Sequence, residues 1–191
     1  MYKRPHKDHV PPKALVTYGN FICDHRPLKS EPYRVRLTVG GDKLKYDDDA
    51  GSPAASLLET KLIVNSTISD ASKGARFACA DLKDFFLASP MEKPEFMKIK
   101  YKYLPADIRT KYQLDTLVSP DGYVYVKIKK GMYGLKEAAI IAFNQLVQKL
   151  DPAGYEPMPF TPGLCHHRTK RTTFALCVDN FGVKYFSLAD A

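Results

Sequence analysis

Two short apolar runs each end in an aspartate, and this repeated ending constrains the fold more than any other feature. Phe77-Ala78-Cys79-Ala80 runs into Asp81, and Thr172-Thr173-Phe174-Ala175-Leu176-Cys177-Val178 runs into Asp179-Asn180. Phe181-Gly182-Val183-Lys184-Tyr185 leads away from the second. Strand, polar Asp179-Asn180 turn and strand predict a hairpin with Asp179 near its tip. The first run predicts a buried strand that delivers Asp81 at its end. Side by side in one sheet, the two strands would bring two carboxylates together. Neighbouring carboxylates repel, and an unpaired buried charge is costly. A divalent cation relieves that conflict, and magnesium favours sparse carboxylate ligation completed by phosphate oxygens. Pattern alone leaves another reading open, in which Asp81 caps the turn that follows it and Asp179 simply turns a hairpin.

The rest of the chain supplies a domain around these strands. Its 191 residues suit one compact domain or two closely packed subdomains. Hydrophobic residues at 45% and charged residues at 26% exclude a disordered chain. No apolar run reaches the roughly 18 residues of a membrane span. Residues 1–20 read as a basic, Pro-containing arm and entry segment, with no apolar stretch of the secretory kind. Residues 33–39 alternate and end at Gly40-Gly41-Asp42, as strand then turn, with 43–46 as the returning strand. Asp47-Asp48-Asp49 is an acidic loop, solvated or cation-binding. Residues 54–67 carry Leu57, Leu58, Leu62, Ile63 and Val64 at helical spacing, predicting a core-packing helix started by Ser52 or Pro53. Residues 91–120 contain Pro94, Pro105 and Pro120 and predict an insertion with a basic strand. Asp121-Gly122 then turns the chain into an alternating strand over 123–128. Residues 136–150 form the clearest amphipathic helix, closed by Asp151-Pro152-Ala153-Gly154.

Charge points to a partner. The formal net charge is +8, which favours a polyanion such as nucleic acid, although an excess of lysine alone would give the same figure. Lysines gather in Lys98-Ile99-Lys100-Tyr101-Lys102-Tyr103 and in Lys127-Ile128-Lys129-Lys130. Both stretches alternate, so a strand there would present one basic face that suits a phosphate track. Of the four cysteines, Cys79 and Cys177 sit in apolar runs and read as buried small hydrophobes. Cys23, His25, Cys165, His166 and His167 are zinc-ligand types, but adjacent ligands match no common zinc spacing. Unpaired cysteine usage fits a reducing, intracellular and cytoplasmic setting.

Around the two aspartates stand segments that resemble a known family. Asp81-Leu82-Lys83-Asp84-Phe85-Phe86-Leu87-Ala88-Ser89-Pro90-Met91 resembles the first catalytic motif of retroelement reverse transcriptases. Gly131-Met132-Tyr133-Gly134-Leu135-Lys136-Glu137-Ala138-Ala139 resembles their YGLxQA motif. Cys177-Val178-Asp179-Asn180 resembles their YxDD box. Arg34-Val35-Arg36-Leu37-Thr38-Val39-Gly40-Gly41 looks like their fingers segment. All occur in the family's order, and the likeness, greatest to copia-type retrotransposon polyproteins, runs from about Val16 to Tyr185.

The resemblance implies an α+β fold with right-hand polymerase fingers and a partial palm, its antiparallel sheet backed by helices. On that likeness residues 1–20 are an arm, 21–75 fingers, 76–90 palm, 91–133 a fingers insertion and 134–191 palm with the catalytic hairpin. It implies RNA-directed DNA polymerase activity with magnesium, or manganese, as cofactor. Its partners would be an RNA or DNA template with primer and deoxynucleoside triphosphates, with no membrane partner. Asp81 and Asp179 would be metal ligands, and Asn180 would complete the catalytic set. Leu82, Lys83, Asp84 and Phe85 would lie near the triphosphate. Phe86 matches the family's aromatic gate against a ribose 2′-hydroxyl, where its residue type alone reads equally as core. Arg36 matches a phosphate-contacting position, suited by its bidentate donors, where a strand arginine is by default a surface residue. Gly134 and Leu135 would form the turn beneath the templating base pair. Lys136 would meet phosphate, or sit exposed at a helix start.

Three departures qualify these expectations. Asn180 stands in place of the box's second aspartate, and an amide brings a carbonyl ligand without charge. Glu137 stands where the family has glutamine. The chain also stops at Ala191, before any thumb or RNase H domain, which predicts a truncated copy with an exposed sheet edge. The competing expectations are a weakly active polymerase, a non-catalytic basic nucleic-acid-binding remnant, and a cellular protein whose acidic turns are structural.

Overall fold

The protein is described by a computed structural model that covers residues 10–46 and 53–190. The acidic run Asp47-Asp48-Asp49 and most of the basic arm lie outside the described residues. The chain is mixed α and β and divides into two compact units, Met1–Asp49 with Pro90–Ala138 and Ala50–Ser89 with Ala139–Ala191.

The first unit is built on a sheet ordered β2-β1-β4-β5, from β1 (Val16–His25), β2 (Tyr33–Val39), β4 (Pro90–Lys100) and β5 (Tyr123–Lys130). β1 and β2 form an antiparallel hairpin, β1 runs parallel to β4, and β4 pairs antiparallel with β5. β1 begins at Val16, inside the stretch read as an arm. Residues 43–46 make no returning strand. After Gly40 the chain takes a 3-10 turn over Gly41–Lys43, although among the described residues the outer edge of β2 stays free for a returning strand. One face of β4 and β5 carries Met97, Ile99, Val124 and Ile128 into the core. The register sets Lys98 opposite Tyr125, Lys100 opposite Tyr123 and Phe96 opposite Lys127 on the other face. The expected basic face is therefore present, although β4 ends at Lys100 and Tyr101–Tyr103 turn into a 3-10 coil before α2 (Ala106–Tyr112).

The segment Tyr133-Gly134-Leu135 is fixed backbone against backbone. The Val39 amide donates to the Tyr133 carbonyl at 2.8 Å. Gly134 has φ +97°, a left-handed value that glycine alone adopts freely. A Cβ on Gly134 would run into the Val39 carbonyl, and one on Gly41 would run into the Gly134 carbonyl.

The second unit holds an antiparallel sheet ordered β3-β9-β8-β7-β6, from β3 (Arg76–Asp81), β6 (Tyr155–Met158), β7 (Thr161–His167), β8 (Thr173–Cys177) and β9 (Asn180–Tyr185). Strand alternation sends Phe174, Leu176 and Cys165 to one face, where α3 (Ala138–Leu150) packs Phe143 onto them. Ala175 and Leu164 face the other side and meet Ile63 of α1 (Leu57–Ser69). Two helices thus cover opposite faces of one sheet. α1 starts later than the sequence suggests because Ser56 closes a capping box with Glu59, each accepting from the other's amide. Pro53 therefore lies ahead of the helix, and Ser52 lies outside the described residues.

Three burial expectations are corrected. β3 is exposed along its whole length, since it lies at the sheet edge and pairs only with β9. Cys79 is therefore exposed and Cys177 half-buried, while Cys165 is the buried cysteine. Leu57, Leu58 and Leu62 also remain exposed, because α1 meets the sheet along a narrow stripe through Ile63 and Thr67. The β6–β7 hairpin was not legible in the sequence. Pro157, Pro159 and Pro162 interrupt the alternation that marks a strand.

Candidate metal and nucleotide site

Asp81 ends β3 level with Asn180, the first residue of β9. Directly paired residues on antiparallel strands point to the same face. Cys177 of β8 pairs with Asn180 from the far side, so Asp81, Asn180 and Cys177 form one row across three strands. The hairpin turn is Val178-Asp179, one residue earlier than the polar pair Asp179-Asn180 suggests, because Asn180 is already held in the ladder with Cys177. Val178 has φ +62°, the left-handed region that a β-branched residue avoids. Such strain costs about 1–3 kcal/mol and is typically held where a turn presents a functional group. Asp179 is the next residue of this turn.

Two hydrogen bonds tie this end of the sheet to the hairpin tip. The Leu82 amide donates to the Asp179 carbonyl at 2.7 Å, which fastens the start of the post-β3 turn to the hairpin tip. The Asn180 side-chain Nδ2 donates to Asp179 Oδ1 at 3.0 Å. This leaves the Asn180 carbonyl oxygen and Asp179 Oδ2 as acceptors for a ligand. On the sheet side, Cys177 Sγ lies 3.4 Å from the Ala55 carbonyl and 3.2 Å from Thr60 Oγ1, which directs the thiol toward α1.

Residues 83–88 form a turn in which Asp84 has φ +57°. The Ala88 amide donates to the Asp84 carbonyl and the Ser89 amide to the Phe86 carbonyl. Phe85 packs against the Phe143–Phe174 cluster, and the Phe86 ring stands 5.5 Å from that of Phe85. Both rings line a shallow crevice with Val178, Leu176 and Ala139. Lys83 and Asp84 are exposed.

Asp81, Leu82, Lys83, Asp84, Phe85, Phe86, Asp179 and Asn180 thus gather in the second unit. Arg36, Gly134, Leu135 and Lys136 belong to the first. Within that unit Arg36 is engaged by Asp24 at 2.6 Å, with its guanidinium 5.9 Å from the Tyr133 ring, while its Nε is buried with no partner among the described residues. Leu135 is buried and Lys136 exposed. Burial raises the Glu137 carboxyl above its ordinary value, against the pull of Lys93.

The donor chemistry at the hairpin suits a hard divalent cation: two carboxylates and one amide carbonyl, with phosphate oxygens to complete the shell. No cluster of three or more His, Cys, Asp or Glu side chains placed to hold a metal occurs among the described residues. Of the zinc-ligand types, Cys23 and His25 belong to the first unit and Cys165, His166 and His167 to the second. Cys165 is buried with its thiol pushed up to about 11 by desolvation, and His167 Nδ1 accepts from the Thr169 and Lys170 amides. His166 Nε2 faces Glu156 at 3.4 Å.

One grouping was missed by sequence reading. Lys184 is 9% exposed, and its ammonium donates to Asp70 Oδ2, Ser66 Oγ and the Ser66 carbonyl. The only signal was a lysine inside the apolar alternation of β9, which pattern treats as a solvent-facing residue. No helix among the described residues is long and apolar enough to cross a membrane. Comparisons with protein-family models, with curated proteins and with solved structures find no match for this chain.

Proposed function

We propose that this chain is a nucleotidyl-transfer domain of the reverse-transcriptase type, with Asp81 and Asp179 as its metal-holding carboxylates. One observation carries the reading: β3 and β9 pair in a register that sets Asp81 level with Asn180, beside Asp179 on its strained turn. On this reading the five-stranded sheet is a partial palm, and the four-stranded sheet belongs to the fingers. The deoxynucleotide's phosphates would complete the coordination that two carboxylates leave open. Magnesium, when bound, would activate a primer hydroxyl and stabilise the leaving pyrophosphate.

The protein's own residues set the rest. Asp179 is oriented by the side-chain amide of Asn180, which removes one of its oxygens from ligation. The amide of Leu82 is already spent on Asp179, so phosphate contacts fall to Lys83 and the turn beyond it. Phe86 would limit the sugar edge of a nucleotide, its ring lining the crevice with Phe85 and Val178. Asn180 lowers the site's negative charge by one, so divalent-ion affinity should be weak and activity low.

Primer extension on an RNA template tests this, with magnesium or manganese and all four deoxynucleotides. The expected result is slow incorporation that Asp81→Ala and Asp179→Ala abolish. Equal extension by the wild type and both variants would defeat it. A second reading, a basic nucleic-acid-binding module without synthesis, is favoured by the Lys98, Lys100 and Lys127 face of β4 and β5. It is supported if the chain binds template–primer but extends none.

A further inference from the structure

On the α1 side of the five-stranded sheet lies a cavity of about 380 Å³, within the roughly 300–1,000 Å³ range of small-molecule sites. It is separate from the Asp81–Asp179 row. Its floor is apolar, from Ile63, Leu164 and Met158, with Leu62 on the rim. Its other end is cationic. Lys184 is held there by Asp70 and Ser66, which use its three donors. Lys73 also pairs with Asp70, at 2.8 Å. Two ammonium groups thus share one carboxylate, and the balance at this end is positive.

Arg171 adds to that balance. Its guanidinium lies 3.6 Å from the centroid of the Phe186 ring and makes no ion pair among the described residues. Stacking uses the faces of the guanidinium and leaves its N–H edge able to grip an anion bidentately. The aromatic ring also limits the positions the side chain samples, so little ordering remains for a ligand to impose.

We propose that this cavity binds an aliphatic monoanion, its chain against Ile63, Leu164 and Met158 and its head group on Arg171 beside Lys184. A neutral chain would leave the positive end unmatched, and a cation would be repelled from it. A charged head without a chain would leave the apolar floor to water. The volume corresponds to roughly a dozen waters at about 30 Å³ each, which suits a chain of octanoate length rather than a long-chain lipid.

The test uses the full chain with methyl-labelled Ile, Leu and Met, titrated with sodium octanoate and followed by NMR. The expected result is saturable, one-to-one shifting of the Ile63, Leu164 and Met158 methyl signals. Arg171→Gln should weaken binding by about tenfold or more, the loss of one charge-assisted contact, and Arg171→Lys should restore part of it. Arg171 is exposed, so neither change threatens the fold. Octyl phosphate serves as a second arm: tighter binding than octanoate at the same methyls assigns a phosphate head, and weaker binding a carboxylate. Octylammonium shifting the same methyls as strongly as octanoate would overturn the proposal. So would unchanged affinity in Arg171→Gln, or no saturable shift with either anion. The outcome is independent of the primer-extension assay, because no residue of the Asp81–Asp179 row lines this cavity.

Discussion

Asn180 sits level with Asp81 and bonds to Asp179, so its side chain decides how many charges this end of the sheet carries. Introducing a carboxylate with Asn180→Asp would place two like charges on directly paired positions. Such a pair destabilises an antiparallel ladder by about 0.2–1 kcal/mol, which lowers Tm by a few degrees at most in a chain of this size. Added magnesium should reverse the loss and stabilise the variant more than the wild type. Thermal unfolding with and without magnesium measures this, and equal magnesium responses would argue against a metal role for the row. The identities of Asp81 and Asp179 were legible because an acidic residue at the end of an apolar strand is conspicuous. The strained Val178 was not. A valine reads as strand, and only the Cys177–Asn180 pairing forces it into the turn.

α1 and β9 are joined by the Asp70–Lys184 pair, a contact between elements far apart in sequence. Lys184 and then Lys73 hold the Asp70 carboxyl down from 3.8 to about 2. A carboxylate with a depressed folded-state value contributes stability that is complete above its unfolded value and is lost as pH falls through the folded one. This contribution should therefore fade between about pH 4 and pH 2. Urea unfolding across that range should show an acid-dependent loss that Asp70→Asn lacks, and identical pH profiles would contradict the link. Helices and hairpins with local signals were legible to this extent: α3 by its period, β8 and β9 by alternation. Contacts that depend on which face an element presents were not. Leu57, Leu58 and Leu62 carry the spacing of a core helix, yet the packing of Ile63 and Thr67 selects the opposite side.

Over the whole molecule the +8 charge makes association with a polyanion salt-dependent. Each phosphate neutralised contributes a slope of roughly −0.9 in log K against log salt for duplex DNA. Lys100 and Lys129 are exposed on the basic face of the first unit. Replacing both with alanine should flatten the slope by about 2, as read by fluorescence anisotropy of a labelled duplex across salt. An unchanged slope would show that these two lysines meet no phosphate. The two-unit division was harder to read than the charge, because Pro90–Ala138 returns to the sheet begun by β1 and β2 while the chain after it rejoins the second unit. The glycine contact in the first unit leaves a different kind of trace. Touching residues usually drift together in evolution, since a larger side chain on one can be offset by a smaller one on the other. Gly134 and Gly41 have no such exchange open to them, because each presses on main chain rather than on a side chain. Sequences that keep this arrangement should hold both glycines fixed, so the contact would be recorded as invariance and remain silent to any search for paired change.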